Sequence, residues 1–342
     1  MKKSDLKCLT ITLVCSFFCS PLAFSNSIDW AFLGKNSRAT IDLSSRTSSN
    51  LDTGEFSFLH VLGLDIHKVF SGSSADIGTL ILQPYIVKLN NVNNSHFIFE
   101  DGNDTKLTWR IANFNYTALN QGKFNIRLGH FEVPFGLEYQ VDTNGTLRQL
   151  TAAQRGIKTD WGVSVNGIMP RFEYEVALTR GSGIELRRKD NPHLFSGRVG
   201  TLSNKNTVLG LSWITGELLS ADGVIEQKNI GLDAAYYYYQ WQFMAESSIG
   251  KVAGNNTLNG FVELLWRNAK EDLLVYTQLE YKRTEIYYEM SNKSGSTSSW
   301  TAGLQWVNDD GFDISVQYKQ KLKEAEWGNI DPTLSVQLRY RM

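Results

Sequence analysis

Apolar and polar side chains alternate with a period of two along most of the chain, and few folds can accommodate that pattern repeated so many times. In an extended strand, successive side chains point to opposite faces. Phe124, Ile126 and Leu128 alternate with Asn125, Arg127 and Gly129, and Phe172, Tyr174, Val176 and Leu178 alternate with Arg171, Glu173, Glu175 and Ala177. The dyad returns in Leu273, Val275, Thr277, Leu279 and Tyr281 against Leu274, Tyr276, Gln278, Glu280 and Lys282. It returns again in Phe312, Ile314, Val316 and Tyr318 against Asp313, Ser315, Gln317 and Lys319. Leu334, Val336, Leu338, Tyr340 and Met342 oppose Ser335, Gln337, Arg339 and Arg341, so the sequence ends within a strand pattern.

Turn-forming clusters separate these runs: Asn103-Asp104, Asn120-Gln121-Gly122, Asp142 to Gly145, Gly181-Ser182-Gly183, Ser203 to Asn206, Gly254-Asn255-Asn256, Ser291 to Ser299, and Asn308 to Gly311. Short connections alternate with longer ones. The expected fold is all-β: one transmembrane antiparallel barrel with 14 to 16 strands, sixteen preferred. A soluble β-sandwich or β-solenoid also alternates. So many strands exceed what one sandwich core needs, and closing the sheet removes every edge. Aromatic residues near strand ends, among them Trp109, Trp161, Trp213, Tyr236 to Tyr239, Trp241, Trp266, Trp300 and Trp306, suit the girdles of a membrane barrel.

The first residues bear on compartment. Lys2, Lys3 and Lys7 precede a short apolar run from Cys8 to Cys19, and Ala23-Phe24-Ser25 supplies a small-x-small pattern. This reads as a secretory signal peptide over residues 1–25, leaving residues 26–342 as a single barrel domain. A lipoprotein signal fits less well, because neither Cys15 nor Cys19 follows small residues. All three cysteines lie in the leader, so the expected mature chain has no disulfide and no thiolate metal site. The five histidines form no close pair with ligand spacing, and no cofactor is expected. The net charge of −1 argues against a nucleic-acid partner.

Residues 127–140, Arg-Leu-Gly-His-Phe-Glu-Val-Pro-Phe-Gly-Leu-Glu-Tyr-Gln, resemble the phosphate-selective porin O and P family, in which a strand runs into Gly-x-Phe-x-x-Pro-Phe-Gly-x-Glu. Gly129, Phe131, Pro134, Phe135, Gly136 and Glu138 match position by position. Asn229 to Tyr236 with Phe243 to Glu246 is similar to the family's Gly-x-Asp strand and its Ala-Glu partner. Physically, Pro134 and Gly136 end a strand and redirect the chain. The resemblance implies a porin, a homotrimer, passage of small solutes or ions including anions such as phosphate, and contact with outer-membrane lipid and lipopolysaccharide. It also implies recognition of the last strand by the barrel-assembly machinery, although Met342 stands where such barrels usually end in Phe.

With the polar phase taken as lumen, the basic candidates are Arg110, Arg127, Arg171, Arg198, Arg267, Lys282, Lys319, Arg339 and Arg341. They face Glu173, Glu175, Asp233, Glu246, Glu263, Glu280 and Asp313, with Asn125 and Gln278 as neutral members. The near balance lacks the arginine excess of a phosphate channel. Residues 133–160, with Glu138, Asp142, Arg148, Arg155, Lys158 and Asp160, form the longest loop candidate, placed either inside the lumen, where it would act as a constriction, or over the barrel mouth.

Two rival classes are a plugged structural or adhesive barrel and a barrel hydrolase. For the latter, Asp65 and His67 share one strand face, but no His-x-Ser, Ser-x-His or partner Asp-x-Asp accompanies them. N-terminal sequencing of protein recovered from membranes is expected to begin at Asn26; a start at Met1 would remove the export reading.

Overall fold

A computed structural model describes residues 34–73, 75–90, 105–141, 143–150, 156–184, 190–220, 223–288, 291–323 and 332–342. The expected leader lies outside the described residues. Sixteen strands follow in order: β1 (Ser37–Asn50), β2 (Phe56–Ser71), β3 (Asp76–Asn90), β4 (Thr105–Tyr116), β5 (Asn125–Glu132), β6 (Thr159–Ile168), β7 (Glu173–Thr179) and β8 (Leu194–Gly200). The second half holds β9 (Thr207–Ser220), β10 (Gly223–Tyr238), β11 (Trp241–Val252), β12 (Asn255–Arg267), β13 (Leu273–Tyr288), β14 (Ser291–Val307), β15 (Phe312–Lys323) and β16 (Thr333–Arg341). Each strand pairs antiparallel with its sequence neighbours and β1 pairs with β16, so the sheet is a closed barrel. The preferred strand number and the all-β class hold.

The period of two decides the faces. On β10, Ile230 and Leu232 are 55% and 65% exposed on the outside, while Asn229 and Asp233 are buried inside. The outward phase carries Leu128, Leu178, Ile249 and Val262, forming an apolar outer belt. At the end where β1 begins and β16 ends, aromatic side chains gather. Tyr236 stacks on Tyr238, Tyr238 meets Tyr239 edge-on, Phe312 lies against Tyr340, and Phe172 against Tyr174. Trp109, Trp213 and Trp300 sit within strands away from this end.

Connections at this rim are tight, including residues 169–172 and 239–240. β5 and β7 end at the other rim, where the longer connections to β6 and β8 leave the wall. Two expectations need correction. Ser291 to Ser299 is not a loop but the start of β14, paired with β13 from Tyr288↔Ser291 onward. Its small polar side chains look like loop composition, yet the backbone pairing with β13 overrides that local preference. Gly254 belongs to a turn, but Asn255 and Asn256 already belong to β12.

The closing seam is keyed by charge. Arg339 donates to both carboxylate oxygens of Asp42 at 2.8 and 2.5 Å. Arg110 and Arg341 both reach Asp65 Oδ2, at 3.1 and 3.0 Å. The buried Tyr85 hydroxyl sits 2.9 Å from Asp42 and 2.7 Å from Asp65, and its ring lies under the Arg110 guanidinium. Asp65 is thus taken up by the seam rather than by a site shared with His67. The last residue is fixed as well: Ile41 N–H donates to the Met342 carbonyl at 2.8 Å and Met342 N–H returns to Ile41 at 3.1 Å.

Asp42→Ala would leave Arg339 buried without its carboxylate, a loss on the order of 3–5 kcal/mol. The folded, heat-resistant band of the barrel on denaturing gels is expected to disappear at a lower temperature than in the parent. An unchanged transition would mean that the pair does not hold the seam.

Candidate channel constriction

Most lumen candidates do face inward, and they face one another. Arg127 Nη1 donates to both oxygens of Glu175, at 2.9 and 3.0 Å. Arg198 bonds Asp233 at 2.6 and 3.1 Å, with both side chains buried. Lys319 reaches Glu280 at 2.8 Å across β14. Asn125 donates to Asn166 at 3.1 Å. Arg267, the last residue of β12, and Lys282, within β13, keep the inward phase but lie exposed.

Arg171 is the correction. It is exposed in the turn 169–172, which is closed by Met169 N–H on the Phe172 carbonyl, so β7 starts at Glu173 and not at Arg171.

The segment after β5 turns into the barrel. Gly129 sits at φ +122, where a Cβ would come 2.2 Å from the Ala112 carbonyl. Gly136 has φ +68, and a Cβ there would strike the Glu246 carboxylate at 2.2 Å. Only glycine allows that approach, and the approach is used: Leu137 N–H donates to Glu246 at 2.7 Å, and Gly136 N–H to Ser212 Oγ at 3.0 Å. Pro134, buried between them in sequence, has no N–H to leave unpaired. A short 3₁₀ turn, Leu137–Tyr139, follows.

Two apolar clusters bind this segment to the inner wall. Val133, Phe135 and Ile157 pack with Leu194, Ile214 and Leu218. Leu137 and Leu150 pack with Val208, Ala235, Met244 and Phe261. These wall residues violate the polar-inside pattern because the loop, not water, covers them.

Polar anchors complete the crossing. Arg148 bonds Glu263 at 2.7 Å, with both side chains nearly solvent-free. Gln278 reaches the Gln149 carbonyl at 3.3 Å. On the far side, Gln337 donates to the Gly145 carbonyl at 2.7 Å and Arg46 to the Thr146 carbonyl at 2.9 Å. Residues 133–150 therefore run through the lumen, resolving the two placements in favour of the interior.

Among the described residues, the loop's charged candidates Glu138, Arg148 and Lys158 serve as anchors. Glu138 is buried with Lys158 at 2.9 Å and Thr143 at 3.0 Å, and Arg148 is spent on Glu263. Asp142 and Arg155 lie outside the described residues. Tyr139, Gln140 and Asn144 line the free side instead. Tyr139 donates to Glu175, Gln140 to Glu173, and Asn144 to Glu132. Burial, followed by the Glu175 charge, holds the Tyr139 phenol well above its usual range, so it stays a neutral donor.

Between this loop face and the wall from β2 to β8 lies a cavity of about 640 Å³, with Arg110, Arg127 and Arg198 matched by Glu132, Glu173 and Glu175. Sequence reasoning missed Arg46, which bonds Gln337 at 2.8 Å, and the three neutral loop residues. β1 has so few apolar residues that its phase was unreadable.

No family model and no curated protein sequence matches the chain. Solved structures do. An anion-selective porin from Comamonas acidovorans aligns over 90% of this chain and 99% of its own, with a TM-score of 0.60 and 12% identity. Salmonella typhi OmpF, in complex with daunomycin, aligns over 90% and 97%, with a TM-score of 0.63 and 9% identity. The trimer form of in-vitro folded OmpT, an outer membrane protein of Vibrio cholerae, covers 90% and 99% at a TM-score of 0.61 and 9% identity. The fold is the sixteen-stranded porin fold. At these identities the likeness is one of architecture.

Glu263→Gln would remove the charge that Arg148 is buried against, a loss on the order of 3–5 kcal/mol. The loop is expected to loosen at its β12 anchor, read as faster backbone amide exchange in residues 143–150. Exchange as slow as in the parent would mean that the apolar clusters hold the loop alone.

Proposed function

We propose that the protein is an outer-membrane porin: a water-filled barrel through which small hydrophilic solutes and ions diffuse past a constriction made by the segment that follows β5. The observation that carries this reading is the loop inside the closed barrel, leaving an open cavity with paired charges along one wall. A lining of this kind gives a hydrated path crossed by a local field, since positive and negative groups face each other over short distances. The apolar outer belt fits outer-membrane lipid and lipopolysaccharide, and the signal peptide over residues 1–25 supplies the export step.

The resemblance to the phosphate-selective porins supports the channel more than the phosphate. An anion ladder needs guanidinium groups free to donate, whereas Arg110, Arg127, Arg148, Arg198 and Arg339 are each engaged by a carboxylate. The function favoured is a weakly charge-selective diffusion pore. A homotrimer is part of the proposal, as is recognition of β16 by the barrel-assembly machinery.

Single-channel recording of the refolded chain in a planar bilayer tests this. Steady open-channel steps are expected, and replacing residues 138–150 by a short Gly-Ser linker is expected to raise the conductance several-fold. A folded barrel without current would turn the reading to a plugged structural barrel.

A further inference from the structure

The wall of the cavity is unusually rich in amides. Gln83, Asn113, Asn115, Asn125 and Asn166 all line it from β3 to β6. Three of them form a relay, in which Asn125 donates to Asn166 at 3.1 Å and Asn166 donates to Asn115 at 3.1 Å. Each primary amide has two N–H donors and two acceptor lone pairs. Part of this capacity is spent within the protein, since Asn125 donates to Asn166 and to the Gly122 carbonyl, Gln83 accepts from Arg110 and Asn113 donates to the His130 carbonyl; among the described residues the Asn115 amide hydrogens have no acceptor, and Asn125 Oδ1 is buried without a donor. Arg110 Nη1 is also without a hydrogen bond, although it lies 3.7 Å from Asp42.

The charges around this strip are already satisfied. Arg127 is clamped to Glu175, Arg198 to Asp233 and Arg110 to Asp65. Glu132 and Glu173 accept from Asn144 and Gln140 of the loop. A free anion or cation would have to compete with an existing ion pair for its counter-charge. A neutral solute that offers several hydroxyl groups meets no such competitor, because hydroxyls both donate and accept and so complement amides in either sense. The volume of about 640 Å³ falls within the range of sites that hold small molecules.

We propose that this amide-lined wall is a binding subsite for a neutral polyhydroxylated solute, a small sugar, retained briefly on its way through the constriction. The proposal deepens the porin reading and rests on it for the direction of passage, but the subsite itself can be tested without a current. The geometry also assigns the roles: the amides of β4, β5 and β6 recognise hydroxyls, and the ion pairs keep the strip electrically quiet.

The test is calorimetric titration of the detergent-solubilised barrel with glucose, glycine and inorganic phosphate, run beside single-channel recording with the same three probes. Glucose is expected to bind saturably and to lower the open-channel current with the same concentration dependence, while phosphate and glycine do neither. Replacing both Asn115 and Asn166 by leucine removes at least two hydrogen bonds to the sugar and is expected to weaken glucose binding about tenfold, with the channel still open. A current that falls only with solution viscosity, without saturable heat, would overturn the subsite, as would tighter saturable binding of phosphate or of glycine. Glucose binding in a barrel that passes no current would leave the subsite standing and remove the porin. The comparison of probes uses the unaltered chain, so a misfolded double variant would not decide the matter.

Discussion

Pairing of β1 with β16 is the contact on which the remaining structure depends. An open sheet of sixteen strands would present two rows of unpaired N–H and C=O groups, and neither lipid nor a second apolar layer could satisfy them. Closure gives every strand two hydrogen-bonded neighbours and converts the period-two pattern into an inside and an outside. Asp42 holds Arg339 of the neighbouring β16, and Asp65 holds Arg110 of β4 and Arg341 of β16, with Tyr85 between the two carboxylates, so the register of the last strand is fixed by side chains as well as by the ladder.

A barrel of this size encloses more space than its own side chains can fill. Here residues 133–150 occupy that space, and they do so by means unlike those of the wall. The loop is held by two patches of ordinary hydrophobic packing, by backbone N–H groups on Glu246 and Ser212, and by one buried arginine on Glu263. The lumen consequently has two characters. One side is an apolar and ionic bed for the loop, and the other is the open cavity bounded by amides and matched charges.

The sequence carried the strand class, the preferred strand number and most of the inward-facing set, because in a two-sided sheet the side-chain period alone assigns the face. It also carried the corner at Pro134 and Gly136, since proline and glycine restrict the backbone locally. It failed where local composition and backbone pairing disagree. Ser291 to Ser299 reads as a loop and is a strand, and Arg171 reads as strand and is a turn. Arg46, Tyr139, Gln140 and Asn144 had no periodic signal to mark them, and their partners lie from about a dozen to nearly three hundred positions away.

What the sequence by itself determined was therefore the alternation, the turns and the chemical inventory of each face. Only the tertiary structure decided which charges meet: closing the barrel brings Arg339 to Asp42 from the opposite end of the chain, and the sheet sets Arg198 of β8 against Asp233 of β10 across β9. The same holds for the loop. Its charged residues could have lined a pore or anchored a bend, and they became anchors because Glu138 and Arg148 find opposite charges in buried surroundings. In such surroundings an unpaired charge would be too costly to keep, and among the described residues Tyr139, Gln140 and Asn144 line the free face.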